Sequence, residues 1–441
     1  MSFMLLGILN AQAAGGGSPY FLATFGGAGN DIGFSTAIDS GGNIYVAGQT
    51  GSSGAGSNDF AIAKFDSSLT IQWQRTFGGT GDDIAYSLTL DSSDNVYVVG
   101  QTDSAGPARE SILIAKYNSS GTIQWQRVLG GTLPEMGKGV TTDSSGNVYI
   151  VAESRSASGA NHSFYVAKYN SSGTIQWQRM LEGGNNYGYG IAIGSSNDVY
   201  AVGATSIAFV SVNRFQIVKY NSSGTLQWQR MLSGSDPDTA YAITLDSSDN
   251  IYAVGETRSA GAGQQDFLIA KYNSSGTIQW QRILGASGSD LGLSVSVDSL
   301  GDVYAAILAE PTGSGNTTVI AKYNSSGTIQ WQRKLGGTSY AETNSIAIDA
   351  NDDLHLLGRT YSAGAGSNDF FLATLPNDGS LTGTYTLDGV DFDYEVSSLT
   401  AATSSLTAST STVTASSASM TSSTTSLTDA SSAFTTEIVS L

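Results

Sequence analysis

Residues that could carry acid–base, nucleophilic or metal chemistry are few in this chain and lie far apart. Its 441 residues include no cysteine and two histidines, His162 and His355. Thiol catalysis, thiolate metal sites and disulfides are therefore excluded. The two histidines lack the short spacing of a metal-ligand pair, and we expect both to be surface or loop residues. No serine–histidine–aspartate grouping, phosphate-binding loop or dinucleotide fingerprint stands out.

The acidic residues recur with the period of a long repeat rather than with that of a calcium site. They lie in glycine-rich segments and include Asp31, Asp82, Asp83, Asp236, Asp238 and Asp290. Calcium-binding β-rolls repeat their ligands about every nine residues, so that neighbouring turns stack. We therefore predict solvated turns, no metal, no cofactor and no catalytic residue, and hence a chain that is not an enzyme.

The charge balance limits the classes of partner. Lysine and arginine number 19 against 37 aspartates and glutamates, a formal net charge of −18. Affinity for nucleic acid depends on cationic side chains that neutralise phosphates, and anionic membrane surfaces attract basic segments. We predict no nucleic acid partner and no binding to an anionic membrane.

The positions that could bind a ligand through aromatic and cationic side chains belong to a tandem repeat. The motif Gln-Trp-Gln-Arg contains every tryptophan of the chain, at Trp73, Trp125, Trp177, Trp228, Trp280 and Trp331, and successive copies are 51 or 52 residues apart. In an extended strand, Trp73 and Arg75 share one face. Because the tryptophan recurs in every copy instead of at one place, we interpret it as a packing residue between repeats.

The sequence predicts four short strands in each repeat. In one copy these are 84–91, 96–102, 111–117 and 122–129, rich in β-branched and aromatic residues and separated by Asp, Asn, Ser and Gly turns. The third-strand element occurs at 60–65, 112–117, 164–169, 215–220, 267–272, 318–323 and 370–375. Four strands per repeat are typical of a propeller blade. The sequence predicts an all-β, seven-bladed β-propeller over residues 18–387.

The count of seven depends on a strand at the start of the chain. Residues 19–25 resemble the fourth-strand element, with Phe21 at the tryptophan position. Pairing of this strand with 370–375 would complete the last blade and leave no open edge. The alternative strand, 380–387, has Gly383 at the tryptophan position and would leave a gap there.

The repeats resemble those of the SBBP-type β-propeller family. The segments that carry the resemblance are DSSDNVYVVG (91–100), DSSGNVYIVA (143–152) and AKYNSSGTIQW (115–125). The resemblance covers roughly residues 19–387. It implies a propeller fold and a binding or structural module of the kind found in bacterial surface and secreted proteins and in phage proteins.

Residues 388–441 have a different composition, dominated by Ser, Thr and Ala. Bulky apolar residues recur there at intervals of seven: Phe392, Leu399, Leu406, Val413, Met420, Leu427, Phe434 and Leu441. A strict heptad is typical of a supercoiled helix. We therefore predict an α-helical coiled coil that oligomerises the chain as a homotrimer, with a β-structured stalk as the alternative.

Residues 1–17 form a short apolar segment with a glycine hinge. The segment is too short to span a membrane and lacks the basic residues that precede the apolar run of a signal peptide. It is similar to the N-termini of structural proteins of marine and cyanobacterial phages. We interpret it as a docking peptide that binds other virion proteins through Phe3, Leu5, Leu6, Ile8 and Leu9.

These features together predict a non-enzymatic structural protein of a phage virion. The chain would form an oligomeric fibre or appendage, and its propeller would contact a glycan or a protein on the host surface. The alternative is a bacterial cell-surface or secreted propeller that binds glycan or protein.

Overall fold

The computed structural model describes residues 20–441 apart from 107–108, 156–161, 183, 208–211, 311–315, 338–339, 362, 365, 388, 404–405, 410–413, 418–420, 424–427, 431–434 and 441. Every secondary-structure element in this described part is a β-strand. The described part contains no helix that is long and apolar enough to span a membrane. The docking residues Phe3, Leu5, Leu6, Ile8 and Leu9 lie outside the described residues. So do Val413, Met420, Leu427, Phe434 and Leu441.

The strands form repeated antiparallel sheets of four, as the repeat predicts. Blade 1 comprises β2 (Asp31–Ile38), β3 (Ile44–Thr50), β4 (Asp59–Phe65) and β5 (Ile71–Gly78). Blade 2 comprises β6 (Asp83–Leu90), β7 (Val96–Thr102), β8 (Ser111–Tyr117) and β9 (Ile123–Gly130). Blade 3 comprises β10 (Glu135–Thr142), β11 (Val148–Arg155), β12 (His162–Tyr169) and β13 (Ile175–Glu182). Blade 4 comprises β14 (Gly184–Ile193), β15 (Val199–Ile207), β16 (Arg214–Tyr220) and β17 (Leu226–Ser233).

The remaining blades follow the same plan. Blade 5 comprises β18 (Asp238–Leu245), β19 (Ile251–Thr257), β20 (Asp266–Tyr272) and β21 (Ile278–Gly285). Blade 6 comprises β22 (Asp290–Val297), β23 (Val303–Ala309), β24 (Thr317–Tyr323) and β25 (Ile329–Gly337). Blade 7 comprises β26 (Ala341–Ile348), β27 (Leu354–Thr360) and β28 (Asp369–Leu375), and its fourth strand is β1 (Phe21–Gly26), which pairs with β28.

The first strand of each blade is the innermost. These strands lie beside one another in chain order, and β26 of the last blade lies beside β2 of the first. The fourth strands, which carry the tryptophans, are outermost. The loops before the first strand and after the second strand share one end of the molecule, which we call the loop face.

The turn between the first two strands explains the Asp-Ser-Ser-Asp-Asn-Val-Tyr motif. The Asp91 carboxylate accepts hydrogen bonds from the backbone N–H groups of Ser93 and Asn95 and from the Tyr97 hydroxyl. Asp94 adopts a φ of 58°, which aspartate tolerates better than most residues. The side chains of the motif therefore replace the hydrogen bonds that the turn backbone cannot make itself.

His355 takes the place of this tyrosine in blade 7. Its side chain is 2% exposed, with Nε2 3.4 Å from Asp349 Oδ2 and Nδ1 2.9 Å from Thr374 Oγ1. The prediction that both histidines are surface or loop residues is therefore wrong for His355, which is a hydrogen-bonded core residue.

The tryptophan and arginine of the repeat connect one blade to the next by hydrogen bonds and packing. Trp177 Nε1 donates to the Ser222 carbonyl at 3.1 Å, and Arg179 Nε donates to the Gly224 carbonyl at 2.7 Å. The guanidinium of Arg179 lies 5.6 Å from the indole centroid. Gly224, with a φ of +77°, lies so close that a Cβ there would be 2.7 Å from Trp177 Cδ2. The partner turn therefore has to present a glycine to the indole.

The junction between blade 7 and blade 1 uses different residues. Phe21 of β1 stands at the tryptophan position, and the facing turn carries Leu69, with a φ of 61°, where the other turns have glycine. Leu69 is 4% exposed and shares one apolar cluster with Phe21, Phe25 and Phe65. The leucine fills the volume that the smaller ring leaves free.

Residues 383–440 form further strands: β29 (Gly383–Leu387), β30 (Val390–Val396), β31 (Thr400–Thr403), β32 (Thr407–Ser409), β33 (Thr414–Ser417), β34 (Thr421–Ser423), β35 (Thr428–Ala430) and β36 (Thr435–Ser440). β29 and β30 form a hairpin across the predicted boundary at residue 388. From β30 onward, these strands pair in turn with the outermost strands β25, β21, β17, β13, β9, β5 and β1.

The α-helical interpretation of the heptad is therefore corrected, since the described residues of this segment are extended. Phe392, Leu399 and Leu406 are 0%, 7% and 7% exposed and are buried against the blades of the same chain. The physical reason is that Thr favours strands, and that neither Thr nor Ser is a strong helix former. The period of seven instead matches the step from one blade to the next.

Candidate functional site

The innermost strands each contain one bulge, at the same place in every blade. The skipped residue is left out of the ladder of paired residues. We call these residues the bulge ring: Phe34, Tyr86, Lys138, Tyr189, Tyr241, Leu293 and Asn344. Neighbouring members touch, with ring centroids 5.5 Å apart for Phe34 and Tyr86 and 5.4 Å apart for Tyr189 and Tyr241.

Lys138 is the one charged member of the bulge ring. Its Nζ lies 3.9 Å from the centroid of the Tyr86 ring and 3.8 Å from Met136 Sδ. Within the described part of the chain, no carboxylate lies within 4.0 Å of this ammonium. Burial lowers the pKa of Lys138, while the more distant charges of Glu153 and Glu110 raise it. A half-buried cation without an ion pair is a ready contact for an anionic group of a ligand.

Ionisable and aromatic side chains adjoin the ring at blades 3 and 4. His162 Nδ1 lies 2.5 Å from Glu153 Oε1, and the imidazole packs on Tyr187 with centroids 4.6 Å apart. Tyr187 and Tyr189 are parallel at 6.3 Å. Burial and the Glu153 charge raise the pKa of Tyr187. The cluster combines flat aromatic faces with a carboxylate–imidazole pair.

A second cluster lies at blade 7. Arg359 binds Glu342 with Nε at 2.9 Å and Nη2 at 2.6 Å, and the Tyr340 hydroxyl donates to the same carboxylate oxygen at 2.9 Å. The guanidinium lies 5.0 Å from the ring of Tyr361, which is 45% exposed. This cluster presents an exposed aromatic edge and a paired arginine on the loop face.

The cations outside the repeat concentrate on the loop face. Twelve occupy repeated positions, Lys64, Lys116, Lys168, Lys219, Lys271 and Lys322 over tyrosines and Arg75, Arg127, Arg179, Arg230, Arg282 and Arg333 beside tryptophans. The others are Arg109, Lys138, Arg155, Arg214, Arg258, Arg359 and Lys334. Lys334 lies on the outermost strand β25 and binds Glu395 at 2.7 Å. The other six belong to the loop-face half of their strands or to the adjoining loops.

The tryptophan clefts at the other end of the blades are structural. They are shallow, with volumes of about 630 to 780 Å³. In the cleft of Trp177, the arginine donors are directed at carbonyl groups: Arg179 Nη1 donates to Gln178 at 2.8 Å, besides the Gly224 bond. The arginine donors of this cleft are therefore used within the protein.

Several innermost strands begin with a residue whose carboxylate is buried. Asp31, Asp83 and Asp290 are fully buried, and Glu135 is 2% exposed. Glu135 accepts one hydrogen bond from Gly131 N at 3.2 Å, and its other oxygen has no protein partner. Burial raises the pKa of Glu135 to about 7. Among the described residues, no group of three acidic or histidine side chains converges on a possible metal position.

We expect Glu135→Gln to stabilise the protein at alkaline pH. The pKa of Glu135 is higher in the folded than in the unfolded chain, so its charged form opposes folding increasingly as the pH rises from about 4.5 to 7. At pH 8 the glutamine variant should gain about 1–2 kcal/mol in the free energy of unfolding, and near pH 4.5 the gain should disappear. Urea titrations at both pH values measure this, with Glu310→Gln, at an exposed position, as control.

The bulge ring was not predicted from the sequence. Its residues differ from blade to blade while their neighbours repeat, which is the signal that could have marked them. Of the predicted oligomerisation residues, the structure places Phe392, Leu399 and Leu406 against the blades and describes none of the others. The predicted docking residues lie outside the described part.

Family models match parts of the repeat. The SBBP β-propeller repeat matches residues 72–106, and a β-propeller domain of unknown function matches residues 42–71 and 247–278. The predicted propeller repeats are confirmed.

Two curated proteins are similar to this chain. The regulatory protein FlaEY of Caulobacter vibrioides is 30% identical over 119 residues, which cover 24% of this chain and 12% of FlaEY. An uncharacterized WD repeat-containing protein of Acanthamoeba polyphaga mimivirus is 21% identical over 472 residues, covering 77% of this chain and 34% of that protein. The chain thus spans about a third or less of the length of these relatives.

A solved structure with this fold belongs to an enzyme. An ulvan lyase of a new polysaccharide lyase family superposes with a TM-score of 0.50 at 10% identity, covering 82% of this chain and 96% of the lyase. The prediction that the chain is not an enzyme is contradicted by this finding, because an enzyme has the same fold. At this identity the likeness shows the fold alone.

Proposed function

We propose that the chain binds an acidic saccharide at the bulge ring. The observation that carries the proposal is Lys138, an ammonium without an ion pair among the described residues, which lies over the ring of Tyr86 in a bulge ring that also contains Phe34 and Tyr189. Aromatic faces bind the apolar face of a sugar ring, and an ammonium binds a carboxylate or sulfate. The polysaccharide-acting enzyme among the structural neighbours supports a saccharide as the ligand class.

Lys138→Met tests this site. It removes the charge but retains an apolar side chain of similar length, so we expect about a tenfold loss of affinity for oligogalacturonate by calorimetry. Lys334→Met, a cation that pairs with Glu395 away from the ring, should bind like the parent chain. Equal affinity of the parent for oligogalacturonate and neutral maltohexaose would contradict the proposal. Ultraviolet absorbance of unsaturated uronate products, recorded on the same samples, reports whether bound saccharide is also cleaved.

We further propose that the protein is part of a virus particle and contacts the host surface through the loop face. Support comes from the apolar residues 1–17, with their likeness to phage structural proteins, and from the relative encoded by mimivirus. Mass spectrometry of purified particles tests this placement. Recovery of the chain from bacterial envelopes or medium alone would favour the alternative of a bacterial surface or secreted protein.

We infer a closed ring of seven blades. The contact of β26 with β2 and the pairing of β1 with β28 support it. The homotrimer predicted from the heptad depended on a helix, so it remains a prediction without structural support. Light scattering of the intact chain measures the mass.

A further inference from the structure

The C-terminal segment pairs with the next blade after every seven residues. One threonine in each heptad pairs with the last residue of an outermost strand. The threonines are Thr400, Thr407, Thr414, Thr421, Thr428 and Thr435, and their partners are Gly285, Ser233, Glu182, Gly130, Gly78 and Gly26, in that order. The pairing register between the C-terminal strand and the outermost strand is therefore the same in these six blades.

The propeller repeat supplies a side-chain partner at two of the crossings. Gln332 Nε2 donates to the Leu399 carbonyl at 2.8 Å, and Gln281 Nε2 donates to the Leu406 carbonyl at 2.9 Å. Both glutamines are the second Gln of the Gln-Trp-Gln-Arg motif. The first Gln of the same strands, Gln330 or Gln279, is exposed and bonds to its own strand at Thr328 or Thr277.

The apolar residues Leu399 and Leu406 each enter the space between two blades. Leu399 shares a cluster with Leu284 of blade 5 and Val319 of blade 6, and Leu406 shares one with Leu232 of blade 4 and Ile283 of blade 5. The intervening Ser, Thr and Ala side chains are small, so the backbone can lie flat along the blade edge. Such covering removes the unpaired edges that sheets otherwise expose.

The last heptad lies on the strand that completes the ring. β36 pairs with β1 from Phe21↔Ser440 to Gly26↔Thr435, so β1 is bonded on both sides, to β28 and to β36. We propose that strands β30 to β36 form an intramolecular belt, which advances by one blade per heptad and latches the N-terminal strand into the propeller. The occupant of the blade edges is this segment of the same chain.

Paired cysteines test the assignment of heptads to blades. The chain has no cysteine of its own, and paired residues of neighbouring strands lie within disulfide range. In the full chain, Ser233→Cys with Thr407→Cys should form an intramolecular disulfide on mild oxidation. Ser233→Cys with Thr400→Cys, displaced by one heptad, should remain reduced. Peptide mass spectrometry and non-reducing gels distinguish the products.

Three outcomes overturn the belt. They are equal crosslinking of both pairs, no crosslink in either, and a disulfide between two molecules, which would assign the segment to a second copy. Because none of these readouts involves saccharide, failure of the belt is distinguishable from failure of the binding site.

Hydrogen exchange tests separately whether the propeller glutamines hold the belt. In the full chain, Gln281→Leu with Gln332→Leu removes two donors to the belt, and we expect at least tenfold faster amide exchange in β31 and β32. Gln279→Leu with Gln330→Leu should leave these rates unchanged. Unchanged exchange of β31 and β32 in the first variant would overturn this role of the two glutamines.

Discussion

We expect Trp177→Ala to lower the free energy of unfolding by about 3–5 kcal/mol, as truncation of a packed aromatic residue does. The indole contacts Tyr149 and Tyr220 at centroid distances of 6.1 and 6.3 Å and donates a hydrogen bond to blade 4. Its loss also leaves Arg179 without the ring on which the guanidinium lies. The packing within blade 3 and the joint between blades 3 and 4 are therefore weakened together.

Gln176→Ala is the matched control for this variant. Gln176 precedes the tryptophan, is exposed, and bonds only to backbone carbonyls of its own strand, those of Thr174 and Ile175. We expect its effect to stay within about 0.5 kcal/mol. Urea unfolding followed by tryptophan fluorescence measures both variants. A Trp177→Ala chain as stable as the control would show that the indole does not join the blades.

The second large effect is expected at the glycine that faces this indole. Gly224→Ala should cost about 2–4 kcal/mol, of which about 1–2 come from the left-handed backbone and the rest from overpacking against Trp177. Gly301→Ala is the control, because Gly301 has a φ of +84° and nothing within 4 Å of a Cβ placed there. It should show the backbone cost alone.

The double variant of Gly224→Ala with Trp177→Ala completes the cycle. If the clash is the cause, the alanine at 224 should cost no more in the absence of the indole than it costs at 301. Additive effects of the two substitutions would instead place the cost of Gly224→Ala elsewhere.

The repeated parts of the fold were predictable because each rests on local chemistry. The turn motif with Asp91 and Tyr97 and the alternation of Gln-Trp-Gln-Arg specify a turn and a strand within a few residues of sequence. The glycine opposite each tryptophan was not recognised, since the two lie 47 or 48 residues apart and meet only when blades are stacked.

The heptad shows where such reasoning fails. A period of seven between Phe392, Leu399 and Leu406 fits a supercoiled helix when only neighbours along the chain are considered. In the folded molecule the period measures the distance between blades, a property of the whole ring that no local pattern contains. The bulge ring was missed for a related reason, because a bulge interrupts the alternation by which a strand is recognised.

The double pairing of β1 also determines how the molecule carries load. A force applied along the strand at residue 20 acts parallel to β28 and β36 and loads the hydrogen bonds on both edges in shear. Bonds loaded in this way share the tension, whereas bonds pulled open from one end break in succession. A load on the segment that precedes β1 is therefore resisted by two rows of hydrogen bonds at once.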